Sequence, residues 1–251
     1  MRHARFDGPT RGPGPLTVPE LGRILSIWAH PDDETYLAGG VMAEAVRAGP
    51  GVVCVSATAG EHGTDDPVLW PPGRLAQTRR WEAEAAMAVL GVRDHRWLGY
   101  EDGTLGGLDP AEPVRRLVGI LEETAPDTIL TFGPDGATFH PDHIAVSGWV
   151  FDAWQRCGRR GRLLHAAVTD AHLDRWAERY EEWGVYMSDD RPTGVREDQL
   201  AVHLRLEGEA LDQKVAALAA MRTQTAGAIT LLGADEFAAL NAAECFVEVV
   251  G

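Results

Sequence analysis

Residues 24–36 read ILSIWAHPDDETY. The apolar run 24–28 predicts a buried strand, and apolar residues at helical spacing from Tyr36 onward predict a helix after it. The polar residues between them therefore occupy a strand-to-helix turn, which is where open α/β sheets bind ligands. Three adjacent carboxylates repel one another unless a cation is bound, and His30 with a neighbouring Asp is a common pair of zinc ligands. The stretch predicts a divalent-metal site.

A simpler interpretation of the same turn needs no metal. Asp32 or Asp33 can cap the N-terminus of the helix, where the helix dipole also favours Glu34. Capping does not account for His30, and it does not account for a second cluster later in the chain. The turn alone leaves both interpretations open.

The second cluster lies at 139–143, where the sequence reads FHPDH. It follows a strand-like run at 128–132 across the glycine-rich loop 133–137, and a helical pattern starts at Ile144. Neighbouring parallel strands bring such turns to one edge of the sheet. Two turns that each carry histidine and carboxylate predict a three-ligand site with an open fourth position, as catalytic zinc is held.

Strand and helix patterns alternate along the rest of the chain. Strands are predicted at 23–29, 52–57, 93–98, 128–132, 163–169, 200–206 and 246–250, and helices at 34–48, 74–90, 113–124, 143–157, 173–183, 207–225 and 235–243. The apolar strands are typical of a parallel sheet, whereas the alternation at 200–206 indicates an edge strand. The predicted fold class is α/β, a Rossmann-like three-layer sandwich with a mostly parallel central sheet covered by helices. A nicotinamide-binding fold is disfavoured because no G-x-G-x-x-G follows the first strand.

Length, charge and cysteine content limit the classes of function. The 251 residues suit a single domain, predicted at 21–251 after a flexible arm at 1–20 that is rich in Pro and Gly. The net charge of −15 argues against a nucleic-acid partner. No apolar stretch reaches the ~20 residues of a membrane span, and no export signal is visible. Three widely spaced cysteines favour buried free thiols and a cytoplasmic location.

The two histidine motifs resemble those of the LmbE-like, or PIG-L-type, family of zinc-dependent N-deacetylases. That family carries an apolar strand followed by A-H-P-D-D-E and, later, H-x-D-H, and both motifs are intact here at 29–34 and 140–143. Weaker similarities extend the resemblance over about residues 22 to 226: TAGE at 58–61, Arg79 with Glu82, Asp102-Gly103, and Lys214 with Thr223-Gln224. The family includes de-N-acetylases of GlcNAc-inositol compounds and related amidases of thiol and natural-product metabolism.

The resemblance implies the metal ligands. The family's ligands correspond to His30, Asp33 and His143, which would hold one Zn²⁺ per chain or another divalent metal in its place. Asp32, beside a predicted ligand but not itself one, is placed to take a proton from water and later deliver it to the leaving amine. His140, as imidazolium or as its N–H tautomer, is the candidate donor that stabilises the developing oxyanion.

Two further residues of the motifs are expected to support the site. Asp142 is predicted to orient His140 or His143, because carboxylates commonly hold the ligand histidines of zinc sites. Glu34 is predicted to support the site or to cap the first helix rather than to bind metal.

Substrate contacts are predicted for Glu61, Arg79 and Asp102, with a surface ion pair or a helix cap as the alternative for each. The sequence also departs from its relatives at two positions. Family members often carry Arg where Ala59 stands, and some sugar deacetylases carry Tyr where Thr138 stands. The second departure removes the tyrosine that assists the oxyanion in those relatives.

The expected function is zinc-dependent removal of an acetyl or acyl group from the N-acetyl amine of an amino sugar or a sugar-bearing metabolite. The expected partner is therefore a small N-acylated molecule. An amidase that acts on a thiol conjugate or a natural product is the alternative within this class. A catalytically silent metal- or sugar-binding module is the alternative outside it, although binding alone does not need a base at Asp32.

Overall fold

The computed structural model describes residues 15–49 and 51–250. The strands are β1 (Ile24–Trp28), β2 (Val52–Ser56), β3 (Asp94–Trp97), β4 (Thr128–Phe132), β5 (Arg162–Ala167), β6 (Val202–Arg205) and β7 (Ala243–Glu248). The longer helices are α1 (Asp33–Ala48), α2 (Pro72–Leu90), α3 (Ala111–Thr124), α4 (Pro141–Arg156), α5 (Asp170–Glu182), α6 (Gly208–Ala220), α7 (Arg222–Leu232) and α8 (Ala234–Leu240).

The described strands form one sheet in the order β3-β2-β1-β4-β5-β7-β6. The first five of these are parallel, and β7 runs antiparallel to both β5 and β6. The predicted α/β class with a mostly parallel sheet is confirmed. The strand predicted at 200–206 is β6, and it lies at the edge of the sheet as expected.

The direction of the chain across the sheet reverses between β1 and β4. Strand β1 pairs with β2 on one side and with β4 on the other. Helix α1 leads from β1 away to β2, whereas α4 leads from β4 away to β5, so the two helices leave the sheet in opposite directions. Such a reversal opens a crevice at the carboxyl ends of the two strands. Both histidine motifs lie at this crevice, because α1 begins at Asp33 and α4 begins at Pro141.

Helices cover the sheet in two layers. Helices α1, α2 and α6 pack together, and α3 packs against α4. Strands β1 and β4 are buried along their whole length, as expected for central parallel strands. At the site end of these strands the fully buried rings of Trp28 and Phe132 meet edge to face, with centroids 4.9 Å apart. The crevice thus rests on a rigid apolar base.

The helix predicted at 207–225 is wrong as a single element. It divides at Met221, whose φ of −92° and ψ of 57° interrupt the helix between α6 and α7. The buried Thr225 hydroxyl donates to the carbonyls of Leu218 at 2.8 Å and Met221 at 3.1 Å, which replaces hydrogen bonds lost at the break. The last strand also begins earlier than predicted, at Ala243.

The part of the predicted N-terminal arm that the structure describes is packed against the domain. Residues Val18–Leu21 form a 3₁₀ helix, and its two end residues are buried. The Leu16 N–H donates to the Ala201 carbonyl at 2.7 Å. These apolar side chains therefore pack within the described fold, while residues 1–14 of the predicted arm lie outside the described part of the chain.

The cysteines are buried and unpaired, as predicted; they are Cys54, Cys157 and Cys245. Among the described helices none combines the length and the apolar character that crossing a bilayer requires.

Candidate metal centre

His30 and Asp33 lie at the turn between β1 and α1. The Asp33 carboxylate accepts a hydrogen bond from the His30 backbone N–H at 2.8 Å. Its Oδ2 also lies 3.6 Å from His30 Nδ1, and its Oδ1 lies 3.4 Å from His143 Nε2. One carboxylate therefore reaches both imidazoles, although the two histidines are far apart in sequence.

His143 reaches the same point from the first turn of α4. Its ring stacks on Phe132 with centroids 4.2 Å apart, and its Nδ1 lies 2.9 Å from the Gly136 carbonyl oxygen. Gly136 has a φ of +65°, and a Cβ there would lie 2.8 Å from His143 Cβ, so this turn requires glycine. The loop and the strand hold His143 with its Nε2 only 3.1 Å from His30 Nδ1.

The spacing of these donor groups fits zinc. Two donors at about 2.0–2.2 Å from a tetrahedral zinc lie about 3.3–3.6 Å from each other. The closest contacts among the donor groups of His30, Asp33 and His143 are 3.1, 3.4 and 3.6 Å, near this range, and the last two are made by Oδ1 and Oδ2 of Asp33 respectively. Two imidazoles and one carboxylate are also the chemistry of catalytic zinc sites that keep one position open.

Hydrogen bonds on the far side of each ring leave the inward nitrogens free to bind a metal. The His143 Nδ1–H donates to the loop carbonyl, and His30 Nε2 lies 2.9 Å from Asp102 Oδ1 and 3.4 Å from Asp142 Oδ2. With hydrogens on these nitrogens, His143 Nε2 and His30 Nδ1 carry the lone pairs. Burial lowers the pKa of His30, but the surrounding carboxylates raise it well above its ordinary value. The surroundings of His30 therefore favour positive charge.

Asp142 supports this arrangement in a way that differs from the expectation. Its buried carboxylate accepts hydrogen bonds from the N–H groups of Gly103 at 2.8 Å and Leu105 at 2.9 Å. Because these bonds hold both oxygens at the loop after β3, the side chain contacts His30 rather than His140 or His143. Only the backbone N–H of Asp142 reaches His140, at 3.1 Å from Nδ1.

Asp102 and Glu61, both predicted substrate contacts, are linked to the metal centre. The buried Asp102 carboxylate accepts from the His62 backbone N–H at 2.9 Å and pairs with His30. Burial raises the pKa of Asp102, yet the bond with His30 holds it well below its usual value, so the carboxylate stays charged. Glu61 Oε1 accepts from the Asp102 N–H at 3.2 Å. A substrate contact of Asp102 or Glu61 stays a prediction.

Asp32 has an unusual backbone conformation beside these candidate ligands, with a φ of +123° and a ψ of −35°. It occupies the N-cap of α1 without a side-chain capping hydrogen bond, so capping does not explain it. Its carboxylate Oδ2 lies 3.4 Å from Arg79 Nη2. Burial raises the pKa of Asp32 to about 7, against the opposing effect of the Arg79 guanidinium. A carboxylate with a pKa near neutrality matches the requirement for a general base.

Glu34 and Arg79 contact the turn that carries Asp32. The fully buried Glu34 carboxylate accepts from the Asp32 backbone N–H at 3.1 Å and from the Thr35 hydroxyl at 3.1 Å. Burial raises the pKa of Glu34 to about 8. Arg79 donates to the backbone carbonyl of Pro31 at 2.6 Å, and its predicted substrate contact stays a prediction. Both side chains thus contact the backbone on either side of Asp32.

His140 lies within reach of the open side of the centre. Its ring centroid is 4.9 Å from those of both His30 and His143, and one ring nitrogen from each of the three lies within 4.8 Å of the others. Its Nδ1 accepts the Asp142 backbone N–H, which puts the ring hydrogen on Nε2. Burial and the nearby His30 lower the pKa of His140, which favours this neutral form.

Two groups at the centre were not identified from the sequence. The Gly136 carbonyl fixes the hydrogen of His143, and the Thr138 hydroxyl lies 3.3 Å from the same Nδ1. The Gly136 carbonyl has no side-chain signature, so the glycine-rich loop is the only feature of the sequence that points to it. Thr138 was noted only as a departure from relatives.

Comparison with known proteins places this geometry in a family. Residues 25–154 match the family model described as PIG-L, GlcNAc-PI de-N-acetylase. A relative from Catenulispora acidiphila, 1D-myo-inositol 2-acetamido-2-deoxy-alpha-D-glucopyranoside deacetylase 2, is 35% identical across 80% of this chain and 79% of its own length. Further relatives described as deacetylases match over about half of their own length.

Solved structures share the fold at lower identity. The N,N'-diacetylchitobiose deacetylase from Pyrococcus horikoshii has a TM-score of 0.62 and 22% identity, covering 90% of this chain and 83% of that chain. The 4-carboxy-2-hydroxymuconate hydratase GalB from Pseudomonas putida has a TM-score of 0.60 and 17% identity, covering 92% and 97%. These likenesses show the fold and not the reaction. The family-model match and the 35% identity together show that the chain belongs to the PIG-L, or GlcNAc-PI de-N-acetylase, family.

Proposed function

We propose that this chain is a zinc-dependent hydrolase that removes the acetyl group from the nitrogen of an amino sugar or a sugar-bearing metabolite. The observation that carries the proposal is the convergence of His30, Asp33 and His143, with Asp32 held beside them. The Catenulispora relative supports the substrate class, because its name describes deacetylation of an inositol glycoside of an acetamido sugar.

The roles of the residues follow from this arrangement. Zinc bound by His30, Asp33 and His143 would supply a Lewis acid that activates water and polarises the amide carbonyl. Asp32 accepts the proton of the attacking water and returns it to the leaving amine, so one carboxylate serves as base and then as acid. Buried histidines and carboxylates around it exclude bulk water, which strengthens these interactions.

His140 is the proposed donor to the oxyanion. Its Nδ1 is occupied by the Asp142 backbone N–H, so its Nε2–H is the group available to a substrate oxygen. A preorganised donor of this kind stabilises charge that develops only in the transition state. Because Thr138 replaces a tyrosine of some relatives, His140 carries this role without a phenol at that position.

Two alternatives make different demands on the site. An amidase that acts on a thiol conjugate or natural product would use the same residues, and Thr138 in place of tyrosine favours a substrate other than an inositol glycoside. A silent binding module would not need Asp32 in a strained backbone conformation, since such strain persists mainly where function uses it. The buried, unpaired cysteines support the further proposal of a reducing, cytoplasmic location.

The decisive experiment combines metal analysis with a substrate panel. Wild-type protein and His143→Ala are assayed for zinc per chain and for release of acetate and free amine from N-acetyl sugars, their inositol glycosides and N-acyl thiol conjugates. We expect about one zinc per wild-type chain, loss of most zinc from His143→Ala, and amine release from an amino-sugar substrate. The control is His203→Ala on the edge strand β6, which should retain both properties.

Each part of the proposal has an outcome that contradicts it. Full zinc content in His143→Ala would remove that residue from the ligand set. Hydrolysis of the thiol conjugates alone would establish the alternative, an amidase of thiol conjugates. Absence of hydrolysis by a zinc-loaded wild type would support the silent binding module.

A further inference from the structure

Arg79 is a buried guanidinium in the wall of the candidate metal centre. It belongs to α2 and is only 4% exposed. Its Nη1 donates to the Gly60 carbonyl at 2.7 Å, and its Nη2 donates to the Pro31 carbonyl at 2.6 Å. Burial of a charged group is costly unless its donors find partners, and here the two terminal nitrogens donate to backbone carbonyls of two separate loops, whereas Nε has no hydrogen-bond partner among the described residues. The guanidinium therefore joins the loop after β2 to the turn after β1.

The same Nη2 atom contacts the two residues that are joined by the Pro31–Asp32 peptide bond. It holds the carbonyl of Pro31, and it lies 3.4 Å from Asp32 Oδ2. The Asp32 backbone N–H in turn donates a hydrogen bond to Glu34 Oε2 at 3.1 Å. The φ of +123° at Asp32 is a conformation that persists in a non-glycine residue only when its surroundings impose it. Arg79 and Glu34 provide those surroundings.

The loop after β2 is shaped to receive this guanidinium. A Cβ on Gly60 would lie 2.1 Å from Arg79 Nη1, and a Cβ on Gly63 would lie 2.6 Å from the same atom. Neither position has room for a side chain while Arg79 is in place. The loop therefore has glycine at the two positions where a side chain would collide with the guanidinium. An exposed arginine that moves between partners would not require glycine at these positions.

We infer that Arg79 is a positioning residue, whose contacts to Pro31 and Asp32 hold the proposed base in its strained conformation and fix the place of its carboxylate. This inference rests on the proposed function, in which Asp32 moves the proton. Arg79 acts through Asp32, and its polar contacts are with the carbonyls of Gly60 and Pro31 and with the Asp32 carboxylate. Its loss should slow turnover while zinc binding by His30, Asp33 and His143 is retained.

A purely structural role makes a different prediction. If Arg79 only joined two loops, its replacement would lower stability, and any loss of activity would be the same whether or not Asp32 carried a charge. If it positions the base, the loss of activity depends on Asp32. A double-mutant cycle between the two residues separates the two roles.

The test uses zinc-loaded protein and the amino-sugar substrate identified by the panel. Arg79→Lys keeps the charge but cannot fork between a carbonyl and a carboxylate. We expect kcat to fall on the order of 10²-fold, because a small misplacement of a catalytic group has effects of that size. KM and zinc content should change little, and in the Asp32→Asn background the same substitution should change turnover less than about threefold.

A second variant displaces the guanidinium without removing it. Gly63→Ala adds a Cβ at 2.6 Å from Arg79 Nη1 at a residue with no positive φ, so backbone strain does not confuse the result. It should lower kcat in the same direction as Arg79→Lys. The matched control is Arg80→Lys on the same helix, whose guanidinium lies over the Trp97 ring at 4.5 Å and should leave kcat unchanged.

Chemical rescue gives an independent reading of the same contact. Millimolar guanidinium should restore part of the turnover of Arg79→Ala, whereas urea, which has the same shape but no charge, should not. The rescue should vanish when Asp32→Asn is combined with Arg79→Ala. A melting curve shows whether an Arg79 variant is still folded. If it is not, the kcat of Gly63→Ala is used for the test instead.

The outcomes separate this inference from the function on which it rests. An active wild type in which Arg79→Lys and Gly63→Ala leave kcat intact, or lower it equally with Asp32 and with Asn at that position, overturns the positioning role alone. Loss of zinc from Arg79→Lys overturns it as well, because the residue would then support the ligands. A wild type without turnover on the whole panel overturns the proposed function and this inference with it.

Discussion

At the scale of single residues, Asp32 combines two unfavourable features at one position. Its positive φ costs on the order of 1–3 kcal/mol in a residue with a side chain, and loss of hydration raises the pKa of its largely covered carboxylate to about 7. Arg79 and Glu34 hold the residue in this state through its neighbouring carbonyl and its own N–H. Evolution of a fold rarely retains such a combination at a site that only binds a ligand, and proton transfer gives it a use.

The first prediction concerns that proton transfer. Asp32→Asn keeps the size and hydrogen-bonding shape of the side chain but cannot accept the proton of water. Turnover should fall by about 10²–10⁴-fold, the usual effect of removing a general base, while zinc content and melting temperature are retained. Steady-state kinetics with elemental analysis measures both. Asp65→Asn in the exposed loop after β2 is the control, and an Asp32→Asn enzyme within a few-fold of wild type would remove the base assignment.

The sequence predicts which residues form the candidate site, but it does not predict all of the contacts that the structure shows among them. His30, Asp33 and His143 follow from two short motifs, each of which is a local property of the chain. The partners of His30 are Asp102 and Asp142, and those of Arg79 are two carbonyl groups. Such contacts depend on how loops from β2, β3 and β4 approach one another. Residue patterns contain little information about that approach, so these contacts within the protein were not predicted, and the substrate contacts of Glu61, Arg79 and Asp102 stay predictions.

At the scale of elements, a buried ion pair joins α6 to β7, and both of its side chains also bond to the backbone of α1. Lys214 Nζ lies 2.7 Å from Glu244 Oε1, and both side chains have no exposure. The Glu244 oxygens also accept the N–H groups of Gly40 at 2.7 Å and Val41 at 2.8 Å, and Lys214 donates to the Tyr36 carbonyl at 2.8 Å. These bonds fix the helix that begins at the metal centre against the antiparallel end of the sheet.

The second prediction is that this pair is essential for stability. Lys214→Met leaves Glu244 as an uncompensated charge in the interior, which should cost about 3–5 kcal/mol of unfolding free energy. Urea denaturation of wild type and variant measures the loss. Arg179→Met is the matched control, because its pair with Glu182 lies on the surface, and it should leave the urea midpoint almost unchanged. Equal midpoints for Lys214→Met and wild type would show that the pair is not needed.

Helices and strands are predicted well where a local residue pattern defines them. The order of strands in the sheet is not predicted, because it depends on pairing between distant parts of the chain. Strand β4 was predicted at its observed bounds, since five consecutive buried residues give a clear apolar run. The insertion of β7 between β5 and β6 is a long-range pairing that no local pattern specifies. The break at Met221 was also missed, because the helical pattern continues through it and the compensating bond comes from the Thr225 hydroxyl.

At the scale of the whole molecule, the fold buries histidines that have no role in the proposed chemistry. Burial lowers the pKa to about 4 for each of three such residues, which are His95, His165 and His172. His165, in β5, is 4% exposed, and neither of its ring nitrogens has a hydrogen-bond partner among the described residues. These residues are neutral in the folded chain near pH 7, so acid should weaken the fold itself, apart from any effect on the metal ligands.

The last prediction gives the sign and size of that effect for His165. In the unfolded chain its pKa is about 6.5, so on acidification the unfolded state binds a proton first, while the folded state does not until about pH 4. The stability contributed by the neutral ring is therefore complete above pH 6.5 and is lost as the pH falls toward 4. Integration of this difference gives a loss of about 2 kcal/mol between pH 7 and pH 5.

His165→Leu should remove this loss and keep an apolar side chain of similar volume in β5. Urea unfolding of chelator-treated wild type and variant at pH 7, 6 and 5 measures it, and the metal-free state keeps zinc release out of the comparison. The variant's free energy of unfolding should fall less between pH 7 and pH 5 than that of the wild type, by about 2 kcal/mol. His62→Gln, at a half-exposed side chain, is the control. Parallel pH profiles for His165→Leu and wild type would show that His165 is not a source of the acid sensitivity.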